Sequence, residues 1–159
     1  MLDVAIRGGR VVDGAGNPWF RADVGIRGDR IVAVGTVDEP ARLVLDVDGQ
    51  VVCPGFTDMH THSDVQLLAH PDHAMKAHQG VTCDVVGQDG LGLAPVDPPT
   101  LALLRDLLVG WNGDPDGVAW DWGGVGDYLS RFDGTVAINA VALVGHGTLR
   151  LRVMGADDR

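Results

Sequence analysis

The sequence predicts an α/β protein in two parts: a small β-sandwich-like subdomain over residues 1–53, followed by parallel βα units over residues 54–159. Three observations lead there. The first fifty residues are short β-branched runs separated by turn dipeptides. From residue 54, apolar strands alternate with segments of helical periodicity. Finally, 45% apolar and 21% charged residues is the balance of a folded globular chain, long enough to bury a core without disulfides.

In the first part, Val4-Ala5-Ile6, Val11-Val12, Val24-Gly25-Ile26, Ile31-Val32-Ala33-Val34 and Leu43-Val44-Leu45 read as strands. Gly8-Gly9, Asp13-Gly14, Gly28-Asp29 and Asp48-Gly49 supply the tight turns between them, which predicts a meander of hairpins. The pattern changes after Val51-Val52-Cys53. Phe56 to His62 reads as a strand and its carboxyl end, Pro71 to Gln79 as a short helix closed by Gly80, and Val81 to Val86 as the next strand. Pro99 to Val109 carries Leu101, Leu103, Leu104, Leu107 and Leu108 at helical spacing; Val125 to Phe132 is a weaker helix, and Thr135 to Val144 a third strand.

Trp111 to Trp122 holds three of the four tryptophans among Gly, Asp and Pro and reads as an ordered surface loop. Its indoles cover apolar surface or, on the other reading, form a substrate-side lid. Three βα units are too few for an eight-stranded barrel of about 250 residues. Met154 to Arg159 reads as a polar loop leading onward, so an incomplete (β/α)8 barrel is expected over 54–159.

A formal charge of −10 with 12 scattered basic residues argues against nucleic acid, whose phosphates require clustered Lys and Arg. Every hydrophobic stretch is interrupted well short of a membrane span, so no membrane association is expected. Two cysteines and no secretory leader predict a cytoplasmic protein with reduced thiols. Cys53 and Cys83 both read as small buried hydrophobes. His70, His73 and His78, on or beside the first helix, read as solvated or helix-terminal residues.

The chemistry concentrates in Pro54-Gly55-Phe56-Thr57-Asp58-Met59-His60-Thr61-His62. In a strand, residues two apart share a face, so His60 and His62 would project together at its carboxyl end. Imidazole nitrogens bind Zn²⁺ at about 2.0–2.1 Å, and a catalytic zinc keeps a position open for water. A lone His-x-His is also found on solvated and core histidines. The preceding Pro-Gly turn, the apolar strand and the βα series that follows favour ligation.

Pro54 to Asp64 resembles the first-strand motif of the amidohydrolase superfamily. Gly80-Val81-Thr82, Val85-Val86-Gly87-Gln88-Asp89-Gly90 and Leu93-Ala94-Pro95-Val96 resemble the second-strand region of its N-acyl-D-amino-acid deacylase (D-aminoacylase) branch. Asn139 with Val144 to Arg150 resembles the third-strand loop of that branch. The resemblance implies a metal-dependent hydrolase of the amide bond in small N-acyl amino acids, with one or two Zn²⁺ ions held here only in part. Where those deacylases carry Asn-Cys-Gly with a cysteine ligand, this chain has Gln88-Asp89-Gly90. Asp89 either supplies a carboxylate ligand, harder than thiolate, or caps the turn beside Gly90.

His146, between glycines, is implied to be a substrate-side loop residue or else a turn residue. Asp64 can orient a ligand histidine through its second N–H, or cap a helix. The general-base carboxylate and further histidine ligands of the superfamily come from later strands. No catalytic residue is therefore assigned within the chain, and little activity is expected of it alone. A hydantoinase or dihydroorotase would share His-x-His but depends on a carboxylated lysine, and Lys76, the one lysine, falls in a predicted helix. A non-catalytic fragment self-associating through exposed barrel edges is the reading from another class.

Overall fold

The computed structural model describes residues 1–157, so Asp158 and Arg159 of the expected C-terminal loop lie outside the described residues. The chain divides into two compact units, Met1–Pro54 and Gly55 onward.

The first unit contains β1 (Leu2–Val11), β2 (Phe20–Arg27), β3 (Arg30–Gly35), β4 (Ala41–Asp46) and β5 (Val51–Val52). Instead of two facing layers, its described residues form one five-stranded sheet in the order β3-β2-β1-β4, with β5 pairing to β1. Only part of it is a meander. The β1–β2 and β2–β3 pairs are antiparallel, the second joined by Gly28-Asp29, whereas β4 and β5 both run parallel to β1.

The two expected strands around Gly8-Gly9 are one. Between Ile6↔Val24 and Gly9↔Ala22 the register of β1 against β2 slips, so the glycine pair makes a bulge where a turn was expected. Gly8 has φ +74°, and its amide donates to the Asp23 carboxylate at 2.8 Å, satisfying a group the ladder leaves unpaired. Burial is modest: two clusters, Leu2/Ala5/Val37 and Val11/Ala22/Val24, hold the unit's core, while Val32, Val34, Leu43, Val44 and Leu45 are exposed.

The second unit is a βα series: β6 (Phe56–Asp58), α1 (Gln66–Ala69), α2 (Ala74–Ala77), β7 (Val81–Val86), a 3₁₀ turn (Gln88–Gly90), α3 (Pro98–Asn112), α4 (Val125–Leu129), β8 (Asn139–Ala142) and α5 (His146–Met154). The strands form a parallel sheet in the order β6-β7-β8, as successive βα crossovers require. Central β7 occupies the residues its apolar run predicts, with Asp84, Val85 and Val86 buried.

Helix α3 begins where Asp97 accepts from the Thr100 amide at 2.9 Å with Pro98 in the first turn. It buries Leu101, Leu104 and Leu108 at three- and four-residue spacing. They join a thirteen-residue core with Val65, Leu67, Val86, Trp122, Tyr128, Phe132 and others. The tryptophan segment splits: Trp111 is the exposed last turn of α3, whereas Trp122 is buried and donates its indole N–H to the Leu93 carbonyl at 2.8 Å. Met154 ends α5 rather than opening a loop. No helix of the described residues is long and apolar enough to cross a membrane.

Candidate metal centre

Strand β6 stops at Asp58, so His60 and His62 stand just beyond the strand that was expected to carry them. They are brought together by a turn: the Asp58 carboxylate accepts from the His60 amide at 3.2 Å, bending the chain as it leaves the sheet. Gln88 ties this segment to the neighbouring strand end, its amide nitrogen donating to the Met59 and Val85 carbonyls, each at 2.8 Å.

Asp89 arrives from the end of β7. Gly87, Asp89 and Gly90 have φ of +80°, +56° and +79°, a left-handed region that aspartate tolerates better than most residues with a side chain. The space demands a glycine at 87, since a Cβ there would lie 2.5 Å from the Leu143 carbonyl oxygen. The chain after β8 packs on the same turn so closely that a Cβ on Gly145 would collide with the Gly90 carbonyl.

Asp89 Oδ2 lies 3.1 Å from His62 Nε2 and 3.5 Å from His60 Nε2. One ligand atom from each of the three residues falls within 4.8 Å of the others. Two ligands about 2.0–2.1 Å from one tetrahedral ion stand roughly 3.4 Å apart, so the donor set fits a single Zn²⁺-sized cation. The side chains of His60, His62 and Asp89 are 62%, 31% and 46% exposed, which leaves the group open to solvent on one side. The Trp111 ring stands over His62, centroids 4.7 Å apart.

A model of the amidohydrolase family matches residues 43–159. The chain belongs to the amidohydrolase family. It is 42% identical over 155 residues to a D-aminoacylase of Alcaligenes xylosoxydans xylosoxydans, covering 96% of this chain and 31% of that protein. An N-acyl-D-aspartate deacylase of the same organism is 40% identical over 154 residues, covering 96% of this chain and 30% of the deacylase. Among solved structures, a D-aminoacylase superposes with TM-score 0.80 at 42% identity, over 99% of this chain and 32% of its own. An N-acyl-D-glutamate deacylase from Bordetella bronchiseptica, complexed with zinc and a phosphonate mimic of the tetrahedral intermediate, gives TM-score 0.77 at 38% identity, over 98% of this chain and 32% of that one. The chain thus spans about a third of the relatives it matches.

Around the candidate ligand group of this amidohydrolase stand the other residues that the sequence singles out. Asp64 is buried, and its Oδ1 accepts from the Gly87 amide at 2.9 Å; the N-terminus of α1 has no side-chain cap. It therefore braces the backbone from which the Asp89 turn springs. Burial pushes its carboxyl up to about 6, against the opposing pull of the backbone amide bonds and the His62 charge. Tyr128, raised well above 10.0 chiefly by burial, keeps its hydroxyl proton and donates it to the Asp64 carbonyl at 2.9 Å. His146 is exposed and opens α5, whose first backbone amides lie against Gly90. Both cysteines are free, but Cys53, expected buried, is exposed just past the two-residue β5; Cys83 is half-buried.

One group has no counterpart among the sequence expectations. His73, expected to be solvated or helix-terminal, does precede the first turn of α2, but it is buried with Nε2 3.1 Å from Asp84 Oδ2, and Asp84 also meets the Lys76 ammonium at 3.2 Å. Helical periodicity gives no hint of it, since α2 is a single turn; the usable signal is an aspartate inside the apolar run Val81–Val86, which a buried strand tolerates only with partners. The Lys76 hydrogen bond holds the Asp58 carboxyl below its ordinary 3.8.

Proposed function

We propose that this chain is the metal-binding opening segment of an N-acyl-D-amino-acid deacylase, and that the full protein completes a (β/α)8 barrel around it. The observation that carries the reading is the convergence of His60, His62 and Asp89 just beyond the ends of adjacent parallel strands, where such barrels place their sites. The relatives' names, D-aminoacylase and N-acyl-D-aspartate deacylase, supply the substrate class.

His60, His62 and Asp89 would hold Zn²⁺, which when bound supplies Lewis acidity toward the acyl carbonyl and a more acidic water. The residues of the chain itself bind and orient. Asp89 contributes a formal negative charge where a cysteine thiolate would be the softer donor. Gln88 and Asp64 fix the two backbone segments that present the ligands. His146 stands at the start of α5, beside the Asp89 turn, as a substrate-side residue. The general-base carboxylate is assigned to no residue of this chain.

Two free thiols support a cytoplasmic setting. β6 and β8 are the outer strands of their sheet, and through these edges the isolated chain is expected to associate with a second copy, detectable as a concentration-dependent increase in mass.

The deciding experiment is zinc analysis and an N-acetyl-D-amino-acid hydrolysis screen on a version extended to the length of the relatives. Stoichiometric zinc that disappears in the His60→Ala/His62→Ala variant, with release of free D-amino acid, is the expected result. Full zinc retention in that variant would remove the basis of the assignment.

A further inference from the structure

We propose that Lys76 is a positioning residue, clamping the Asp58–His62 segment so that its two histidines face Asp89. The proposal rests on the metal-centre reading for its purpose, though its structural content is independent of it. The chain's single lysine is only 17% exposed, and its ammonium spends its three N–H donors locally. One bond goes to Asp58 Oδ2 at 2.7 Å, one to Thr61 Oγ1 at 2.7 Å, and one is shared between the two Asp84 oxygens at 3.2 Å each.

Each partner fixes a different part of the segment. Asp58 is the last residue of β6 and holds the His60 amide through its other oxygen. Thr61 lies between the two histidines and turns to Lys76 while its neighbours turn to Asp89; its hydroxyl also meets Ser63 Oγ at 2.8 Å. Asp84 is fully buried in β7 and anchors the ammonium from below, with His73 Nε2 as its second partner. An ionised carboxylate only accepts, so His73 donates through Nε2 and the cluster has its donors and acceptors matched. Burying the Asp84 carboxylate and the His73 imidazole, with the Lys76 ammonium mostly enclosed beside them, is costly, and simple packing would be served as well by apolar side chains. What the cluster adds is direction, because it ties the unpaired stretch after β6 to the rigid central strand.

The test is amide hydrogen exchange on the metal-free chain, read over residues 59–63, alongside Zn²⁺ titration. Thr61→Val removes the clamp's contact between the histidines at nearly constant volume and leaves the buried charges paired. Within that stretch it should speed exchange of the His60 amide, which Asp58 holds, about tenfold or more while β7 and α3 keep their protection. Zn²⁺ affinity should fall about 10- to 100-fold. Lys76→Met should do more, and Lys76→Arg should restore part of the protection; if Lys76→Met fails to fold, Thr61→Val carries the test. Wild-type exchange over 59–63 in Thr61→Val, or an increase spread equally over β7 and α3, overturns the proposal. Zn²⁺ binding that is absent from the wild type, or that survives His60→Ala/His62→Ala, counts instead against the metal reading, and the exchange result still decides the clamp.

Discussion

The two units spend their apolar residues differently. The N-terminal sheet is larger in strands but gathers only two three-residue clusters and leaves Val32, Val34, Leu43, Val44 and Leu45 exposed, whereas the βα unit packs thirteen residues into one core. Buried polar side chains follow the same division: Ser63, Asp64, His73, Asp84, Thr100, Asn112 and Thr148 all belong to the βα unit. Such groups survive burial only with partners, so they accumulate where a rigid core can hold those partners in place. The metal-ligand candidates stand on the edge of that core, and the sheet unit contributes none of them.

The sharpest way to break this contrast is to delete core volume in each unit. Leu104→Ala should cost about 2–5 kcal/mol by denaturant unfolding, because the surrounding side chains cannot collapse into the space. Leu2→Ala, in a cluster of only three buried residues, should fall at or below the lower end of that range. A larger loss at Leu2 would mean that the sheet unit is the better-packed part.

Next in size is the candidate ligand Asp89. Asp89→Ala should weaken Zn²⁺ binding at least about 100-fold by competition titration while leaving the melting temperature of the metal-free chain nearly unchanged. Asp89→Cys should bind Zn²⁺ at least as tightly as the wild type, since thiolate is the softer donor. Equal affinity for Asp89→Ala and wild type would reduce Asp89 to a turn residue.

Asp64 links core and site. Asp64→Ala leaves the buried Gly87 amide without an acceptor and should cost about 1–3 kcal/mol by chemical denaturation, whereas Asp64→Asn, which retains an acceptor, should cost much less. Indistinguishable stabilities would show that the brace is dispensable.

The smallest expected effect concerns acid stability. Bonds from Thr100 lower the Asp97 carboxyl from 3.8, so its contribution is complete above that value and is lost as pH falls through the lower, folded one. Asp97→Asn, which still caps α3, should flatten the acid limb of the stability curve below about pH 4. An unchanged limb would assign it to other carboxylates.

Elements with long, uniform signals are legible in the sequence alone. The apolar run Val81–Val86 and the leucine periodicity of α3 each specify one conformation, because one period and one set of caps agree. Gly8-Gly9 misleads because the dipeptide that opens a hairpin also makes a bulge, and only the partner strand decides between them. The parallel course of β4 is equally out of reach, since crossover geometry leaves no mark on a six-residue strand. At the candidate site the identities of His60, His62 and Asp89 can be read, but the histidines do not keep the side-by-side strand geometry expected of them. Their convergence depends on Asp58, Gln88 and Lys76, residues whose bonds span 2 to 29 positions in sequence.

The indole of Trp111, its centroid 4.7 Å from that of the His62 ring at the solvent edge, would make the candidate site optically self-reporting. A cation that settles on that imidazole changes the electrostatic field felt by an exposed fluorophore, while Trp122, sealed inside the core, provides a steady background. If the proposed site takes a cation, its occupancy is expected to register in intrinsic emission, read against the added background of exposed Trp19 and half-buried Trp120.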